Sequence, residues 1–247
     1  MSARQHHLQC ERGEIAPVVL LPGDPARATL IASFLDEVTA VADAREFRTY
    51  TGAYRGNPVS VTSTGIGCPS TAIAVEELVR LGARTLVRVG TAGAVSAHVE
   101  PGDLVVATGA IRDEGTTTQY LPLAFPAVAD LALASELAAA AARTQRRVHV
   151  GVMHTKDSFY GQKQPETMPM ADELRRRWSA WRAAGALCSE METSALFVVA
   201  AVRAVSAGSI CLVASSADGE RRLAADEAKA AVEDAIVAAL EAVVAAR

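Results

Sequence analysis

The chain has 247 residues, 50% of them hydrophobic and 21% charged, which is ample material for one α/β domain with a sizeable core. A formal net charge of -4 argues against nucleic acid as the main partner, and the run Arg175-Arg176-Arg177 reads as a solvated helix face. No stretch is apolar and long enough for a membrane span, the polar N-terminus lacks a signal-like apolar core, and Cys10, Cys68, Cys188 and Cys211 lack zinc spacing; the expectation is a cytoplasmic protein with free thiols, no metal and no membrane partner.

In chain order, strands are expected at Val18–Leu21, Pro58–Thr64, Thr85–Val89, Asp103–Thr108, Val148–Met153 and Ser209–Val213. Helices are expected at Ser70–Leu81, closed by Gly82, at Ala127–Arg143, and at Asp226–Ala246, where Val232, Ile236, Leu240 and Val243 share one face. Strands alternating with helices, few period-2 patterns and no linker or repeat predict a single α/β domain with helices on the faces of its sheet. Two long segments, 112–126 and 156–170, have no clear structure, and loops of that length are often functional.

Ligands of open α/β sheets collect at the carboxyl ends of strands, and three expected ends are unusual. Val18–Leu21 runs into Pro22-Gly23-Asp24-Pro25 with Arg27 beyond; the second strand runs into Ser63-Thr64-Gly65-Ile66-Gly67; the third runs into Gly90-Thr91-Ala92-Gly93. Arg88 lies inside the apolar run LVRVG, where an unpaired charge is expensive, so an anion should meet it. A carboxylate of the chain is one candidate. With Gly23, Arg27 and Thr91 nearby, an oxyanion such as phosphate is favoured: glycines let amides approach, a hydroxyl donates, and guanidinium forks fit a tetrahedral dianion. Neither GxGxxG nor GxxxxGK[ST] is present, which argues against a dinucleotide site.

Ser189-Glu190-Met191-Glu192-Thr193 opens an apolar helix. Its carboxylates are either partners of the helix dipole or acceptors for sugar hydroxyls, with Met191 offering an apolar surface to a ribose. Asp157-Ser158-Phe159-Tyr160-Gly161-Gln162 supplies an aromatic and an amide, a pairing suited to stacking and reading a planar base, although Phe159 could instead pack in the core.

VLLPGDPAR, AREF, STGIGCPST, VRVGTAGAV, FPAVAD and SEMETSALF, in this order, resemble the nucleoside phosphorylase family of the uridine phosphorylase type, from about His7 to the C-terminal helix. The resemblance implies a central mixed sheet forming a partial barrel flanked by helices, and a homohexamer built as a trimer of dimers. It places phosphate at Gly23, Arg27, Arg88 and Thr91, with Arg45 donated across the dimer interface. It places ribose at Glu192, Met191, Glu190 and Thr91, with His7 of the neighbour, and the base at Phe159 and Gln162. Arg88, Glu192 and Gln162 would carry catalysis. Many relatives have a glutamine and an arginine two apart in the base site, whereas here Gln162 is followed by Lys163-Gln164, so Lys156, Lys163 or a water must substitute.

Purine members carry an aspartate soon after the strand equivalent to Ser209–Val213, where it protonates the departing base. Ser215 occupies that place here, and a serine is no acid at neutral pH; Asp218 would serve only with a different loop register. The expected reaction is reversible phosphorolysis of uridine to uracil and ribose 1-phosphate, with inorganic phosphate as co-substrate and no cofactor. A purine or broad-specificity phosphorylase is the alternative. A related nucleosidase should lack the phosphate-gripping arginines Arg27, Arg45 and Arg88, all present here.

Overall fold

The apolar run Val18–Leu21 forms β1, buried at every position, in the computed structural model, which describes residues 4–246. Asp24 caps the next helix, α1 (Pro25–Ala32), by accepting a hydrogen bond from the Ala26 amide, while Pro25 fills a first-turn position that needs no N–H. β2 (Asp36–Ala44) and β3 (Phe47–Tyr54) make an antiparallel hairpin turning at Arg45-Glu46, with Arg45 at φ +57°. β4 (Asn57–Thr62) follows, then α2 (Cys68–Leu81). As expected, Gly82 closes α2, at φ +115° with its amide on the Leu78 and Val79 carbonyls.

β5 (Thr85–Ala94) is longer than the sequence suggested. Gly90-Thr91-Ala92-Gly93 does not end the strand, because a later parallel strand accompanies it through Gly93. β6 (Leu104–Asp113) and the two-residue β7 (Ala127–Val128) pair antiparallel. The helix expected from Ala127 therefore starts later, as α3 (Leu131–Ala141), where the Asp130 side chain caps the Leu133 amide. The chain continues through β8 (Val148–Lys156), α4 (Phe159–Lys163), α5 (Ala171–Ala183), β9 (Cys188–Glu190), α6 (Thr193–Arg203), β10 (Ser206–Ser215) and α7 (Ala225–Ala245). Arg176 and Arg177 lie exposed on α5 and pair with Glu173, as a solvated helix face should.

One mixed sheet of ten strands organises the domain. β5 pairs with β10, β10 with β6, β6 with β8, β8 with β9, and β9 returns to β5, closing a five-strand barrel. On the edge of β5 that also takes β9, β1 pairs with residues 85–88, and β1, β4, β3 and β2 extend from there as an open wing. Residues of α2 and α6, such as Val75, Leu78, Leu196 and Phe197, fill one core. Residues of α1, α3 and α7, including Ile31, Leu137, Ile236 and Leu240, fill another. All four cysteines are free and buried, and among the described residues no helix is long and apolar enough to cross a membrane.

Candidate active site

Alternation along β5 sends Leu86 toward the α2–α6 core and Val87 and Val89 toward the other core, so Arg88 enters the first. It is 4% exposed and meets both glutamates of the SEMET segment. Its Nη2 lies 2.5 Å from Glu192 Oε2, and its Nε lies 2.9 Å from Glu190 Oε2 as an ion contact. Burial works against the guanidinium charge, yet Glu192 and Glu190 hold its pKa well above the ordinary arginine value. Gly90 makes room for it: a Cβ there would sit 2.6 Å from Arg88 Nη2 and 2.8 Å from Cys211 Sγ.

The two glutamates divide the work. Glu190 Oε2 accepts the Glu192 and Thr193 amides at 2.8 and 2.9 Å, capping α6, and its Oε1 accepts the Thr155 hydroxyl at 2.5 Å. Both oxygens are thus engaged within the chain, so Glu190 caps α6 and braces Arg88 beside the ribose contact expected of it. Glu192 is 5% exposed; its Oε1 accepts the Gly67 amide at 2.6 Å, at the start of α2. Burial raises the Glu192 pKa, and Arg88 opposes that rise. Met191, half-buried, separates the pair, and its carbonyl accepts from Cys68 Sγ.

The glycine loops converge on this centre. The Thr64 amide donates to the Pro22 carbonyl at 2.9 Å and the Gly65 amide to the Gly23 carbonyl at 3.0 Å, and a Cβ at Gly23 would press the Gly65 carbonyl at 3.1 Å. Arg27, in the first turn of α1, is half-buried and has no carboxylate within ion-pair distance among the described residues. Burial and then the nearby Arg88 lower its pKa. Arg27, outside any ion pair among the described residues, offers its guanidinium beside glycine-lined backbone, a donor set suited to an anion. Thr91, half-buried, lies three residues beyond Arg88 on β5.

The aromatic segment forms α4, capped by Ser158, whose hydroxyl accepts the Gly161 amide at 3.0 Å. Phe159 is 45% exposed and touches the Tyr160 ring edge-on, which disposes of core packing as its role. Gln162 Oε1 accepts the Ser189 hydroxyl at 3.1 Å. Lys156 is buried at the end of β8, with Nζ donating to Ser189 Oγ at 2.8 Å; burial, with Lys163 adding repulsion, brings its pKa down to about 8. Lys163 Nζ would lie 3.7 Å from a Cβ on Gly93, and burial lowers its pKa too. The sequence gives no role to Ser189 or its buried neighbour His154; 35 residues separate the two, and β8–β9 pairing sets them opposite each other, while α4 brings up Gln162, 27 residues before Ser189.

Two expected residues stay apart from their own chain's centre. His7 Nδ1 lies 2.7 Å from Glu77 Oε1, and the His7 and Leu8 amides also bind that carboxylate. Glu77 lies ten residues after Gly67 along α2, about 15 Å of helix, so His7 does not reach its own Glu192. Arg45 is exposed at the β2–β3 turn, while the neighbouring Glu46 side chain covers Gly65. Asp218 is exposed; the Ser216 hydroxyl and the Glu220 amide bind its carboxylate and lower its pKa. Ser215 is buried, with Oγ 3.0 Å from where a Gly93 Cβ would stand.

Comparison with known proteins places the chain in a family. The uridine phosphorylase of Treponema pallidum is 46% identical over 97% of this chain and 93% of its own. The guanosine phosphorylase of Halorubrum lacusprofundi is 39% identical over 98% of this chain and 99% of its own. A crystal structure of uridine phosphorylase from Vibrio fischeri superimposes with a TM-score of 0.87 at 34% identity, covering 98% of this chain and 97% of that one. The family model described as phosphorylase superfamily matches residues 17–246, and the chain belongs to that family.

Proposed function

We propose that the protein catalyses the reversible phosphorolysis of uridine to uracil and ribose 1-phosphate. The observation that carries the reading is the buried Arg88 spanning Glu192 and the Arg27 side of the site, so that one cation joins a carboxylate and an anion subsite. Glu192, fixed by Arg88 and the Gly67 amide, takes the ribose hydroxyls against Met191. Phosphate lies among Gly23, Arg27, Arg88 and Thr91, completed by Arg45 of the partner subunit, and His7 of the partner subunit closes the ribose end. Such donation requires a dimer, and the homohexamer is the assembly that would contain it.

Cleavage of the C1′–N1 bond builds positive charge on the ribose and negative charge on the uracil. Phosphate stabilises the first and attacks C1′ from a fixed position. The second is met by the Gln162 amide and the cations Lys156 and Lys163, while Phe159 covers the ring. The lysines fill the part of an arginine in this reading. No metal or organic cofactor has a step to perform, and the enzyme would work in the cytoplasm on nucleoside and phosphate.

The guanosine phosphorylase relative makes a purine substrate the second reading. It lacks an acid here: Ser215 cannot protonate a purine, and Asp218 is bound as a carboxylate at the surface. The test is an ultraviolet assay with uridine, inosine and guanosine, each with and without phosphate. Phosphate-dependent uracil release supports the proposal. Faster turnover of guanosine would replace it with the purine reading, and release without phosphate would make the protein a hydrolase.

A further inference from the structure

Ser189 Oγ has three polar neighbours and only one proton to give. Lys156 Nζ, always a donor when charged, approaches it at 2.8 Å; His154 Nδ1 lies at 2.9 Å and Gln162 Oε1 at 3.1 Å. His154 is 2% exposed, and its other nitrogen, Nε2, lies 3.1 Å from Asp113 Oδ2. The hydrogen bond from His154 is the first reason that Asp113 sits below the usual carboxylate range, so Asp113 is a carboxylate and requires the proton on Nε2.

Donor counting then admits two complete arrangements. With the imidazole doubly protonated, Nδ1–H donates to Ser189, whose hydroxyl donates to Gln162 Oε1; the amide NH2 of Gln162 is left to face the base. With the imidazole neutral, Nδ1 accepts the Ser189 proton. Gln162 must then turn its NH2 toward Ser189 and present its carbonyl instead, the Nδ1 proton having gone to solvent. In the structure Gln162 Oε1 is the amide end that faces Ser189, the orientation that the first arrangement requires. We propose that His154 is a positioning residue for base recognition: its charge state, relayed through the single hydroxyl proton of Ser189, sets which end of the Gln162 amide faces the substrate.

The orientation matters because both uracil carbonyls gain negative charge as the glycosidic bond breaks. An amide NH2 aimed at them stabilises that charge, and a carbonyl oxygen there opposes it. Other charged groups facing His154 are Asp113 from β6, Lys156 from its own strand, Glu190 beside Ser189 on β9, and from α5 Arg177, which binds Asp113 at 2.9 Å and Glu173. None can supply the proton that Ser189 lacks. The proposal rests on the base-site reading above.

Both tryptophans of the chain flank the switch, Trp178 with its ring 5.7 Å from the His154 ring and Trp181 at 6.3 Å, so their emission reports the imidazole charge. The experiment follows tryptophan emission and kcat/KM for uridine from pH 5 to 9 in the parent protein, His154→Gln and Ser189→Ala. In the parent, emission should change with a midpoint at which kcat/KM falls roughly tenfold, the worth of one hydrogen bond to a charged group. His154→Gln should lose both changes, and Ser189→Ala should keep the emission change while losing the kinetic one. Ionisation of phosphate is common to all three proteins and cancels in the comparison. A kinetic step that persists in Ser189→Ala, or a parent whose emission titrates with no kinetic step, overturns the proposal. Gln162→Ala separates it from the reading beneath: unchanged uridine KM in that variant would remove Gln162 from the base site altogether.

Discussion

Replacing Arg88 with methionine tests the centre of the site. The side chain is 4% exposed and faces two carboxylates that are 3% and 5% exposed, so its loss leaves two buried negative charges with only neutral donors. Breaking a buried pair from one side costs about 3–5 kcal/mol, and for a domain of this size each kcal/mol lowers Tm by about 2–4 °C, giving a loss of about 6–20 °C. The deficit should depend on pH. Burial already raises the Glu192 pKa, and with Arg88 gone its largest opponent is lost, leaving backbone hydrogen bonds such as that from Gly67. A carboxyl whose folded pKa lies above its unfolded value binds more protons when folded, so the variant loses stability as pH rises and the deficit is larger at pH 8 than at pH 5.5. Adding Glu192→Gln to the variant should recover part of the melting temperature and none of the uracil release. Thermal unfolding at the two pH values, alongside the phosphate-dependent assay, reads both effects. An Arg88→Met protein melting within about 2 °C of the parent at pH 8 would refute the view that Arg88 holds these carboxylates in their charged state.

Arg27→Ala, which breaks no ion pair, should leave Tm within about 1 °C while raising the phosphate KM by roughly 10- to 100-fold, measured by varying phosphate at saturating uridine. Gly90→Ala pushes a methyl group into the Arg88 guanidinium, and steady-state kinetics should show kcat/KM reduced about 100-fold in a protein that still folds, as circular dichroism would verify. Asp218→Asn should change uridine turnover less than about twofold and leave the guanosine rate no lower than in the parent, because its carboxylate is bound to Ser216 and Glu220 at the surface; a selective loss of guanosine activity would make it the purine acid.

Much of the framework was legible because the buried strands are short apolar runs between glycine and proline. β1 was found to the residue, and Gly82 marked the end of α2. The β2–β3 hairpin was not, since β2 is largely exposed and carries Asp36, Glu37 and Asp43 among its apolar residues, so no apolar run marks it. Glycine misled at β5, where Gly90 serves the Arg88 side chain and leaves the strand intact. In the site, Arg88 announced itself as a charge within an apolar strand, and the anion expected beside it includes the chain's own Glu192. Glu190 and Glu192 look equivalent in sequence; their separation into helix cap and carboxylate near the arginines follows from where β9 ends and α6 begins. The Ser189–His154 contact had no local signal, because it is made by strand register.

The closed barrel also governs when the site can come into being. β5 and β10 run side by side from the Thr85–Ser206 pair to the Gly93–Ser215 pair, joining segments about 120 residues apart in the chain. Until β10 has left the ribosome, β5 lacks the strand that carries its glycine stretch past Val89, and Arg88 lacks one wall of its cavity. Parallel pairing across so long a loop forms late and slowly. The barrel therefore acts as a timer: a nascent or truncated chain ending before Ser206 would carry the residues of the wing, β1 to β4, and almost every side chain proposed to bind ligand, yet no assembled centre in which to use them.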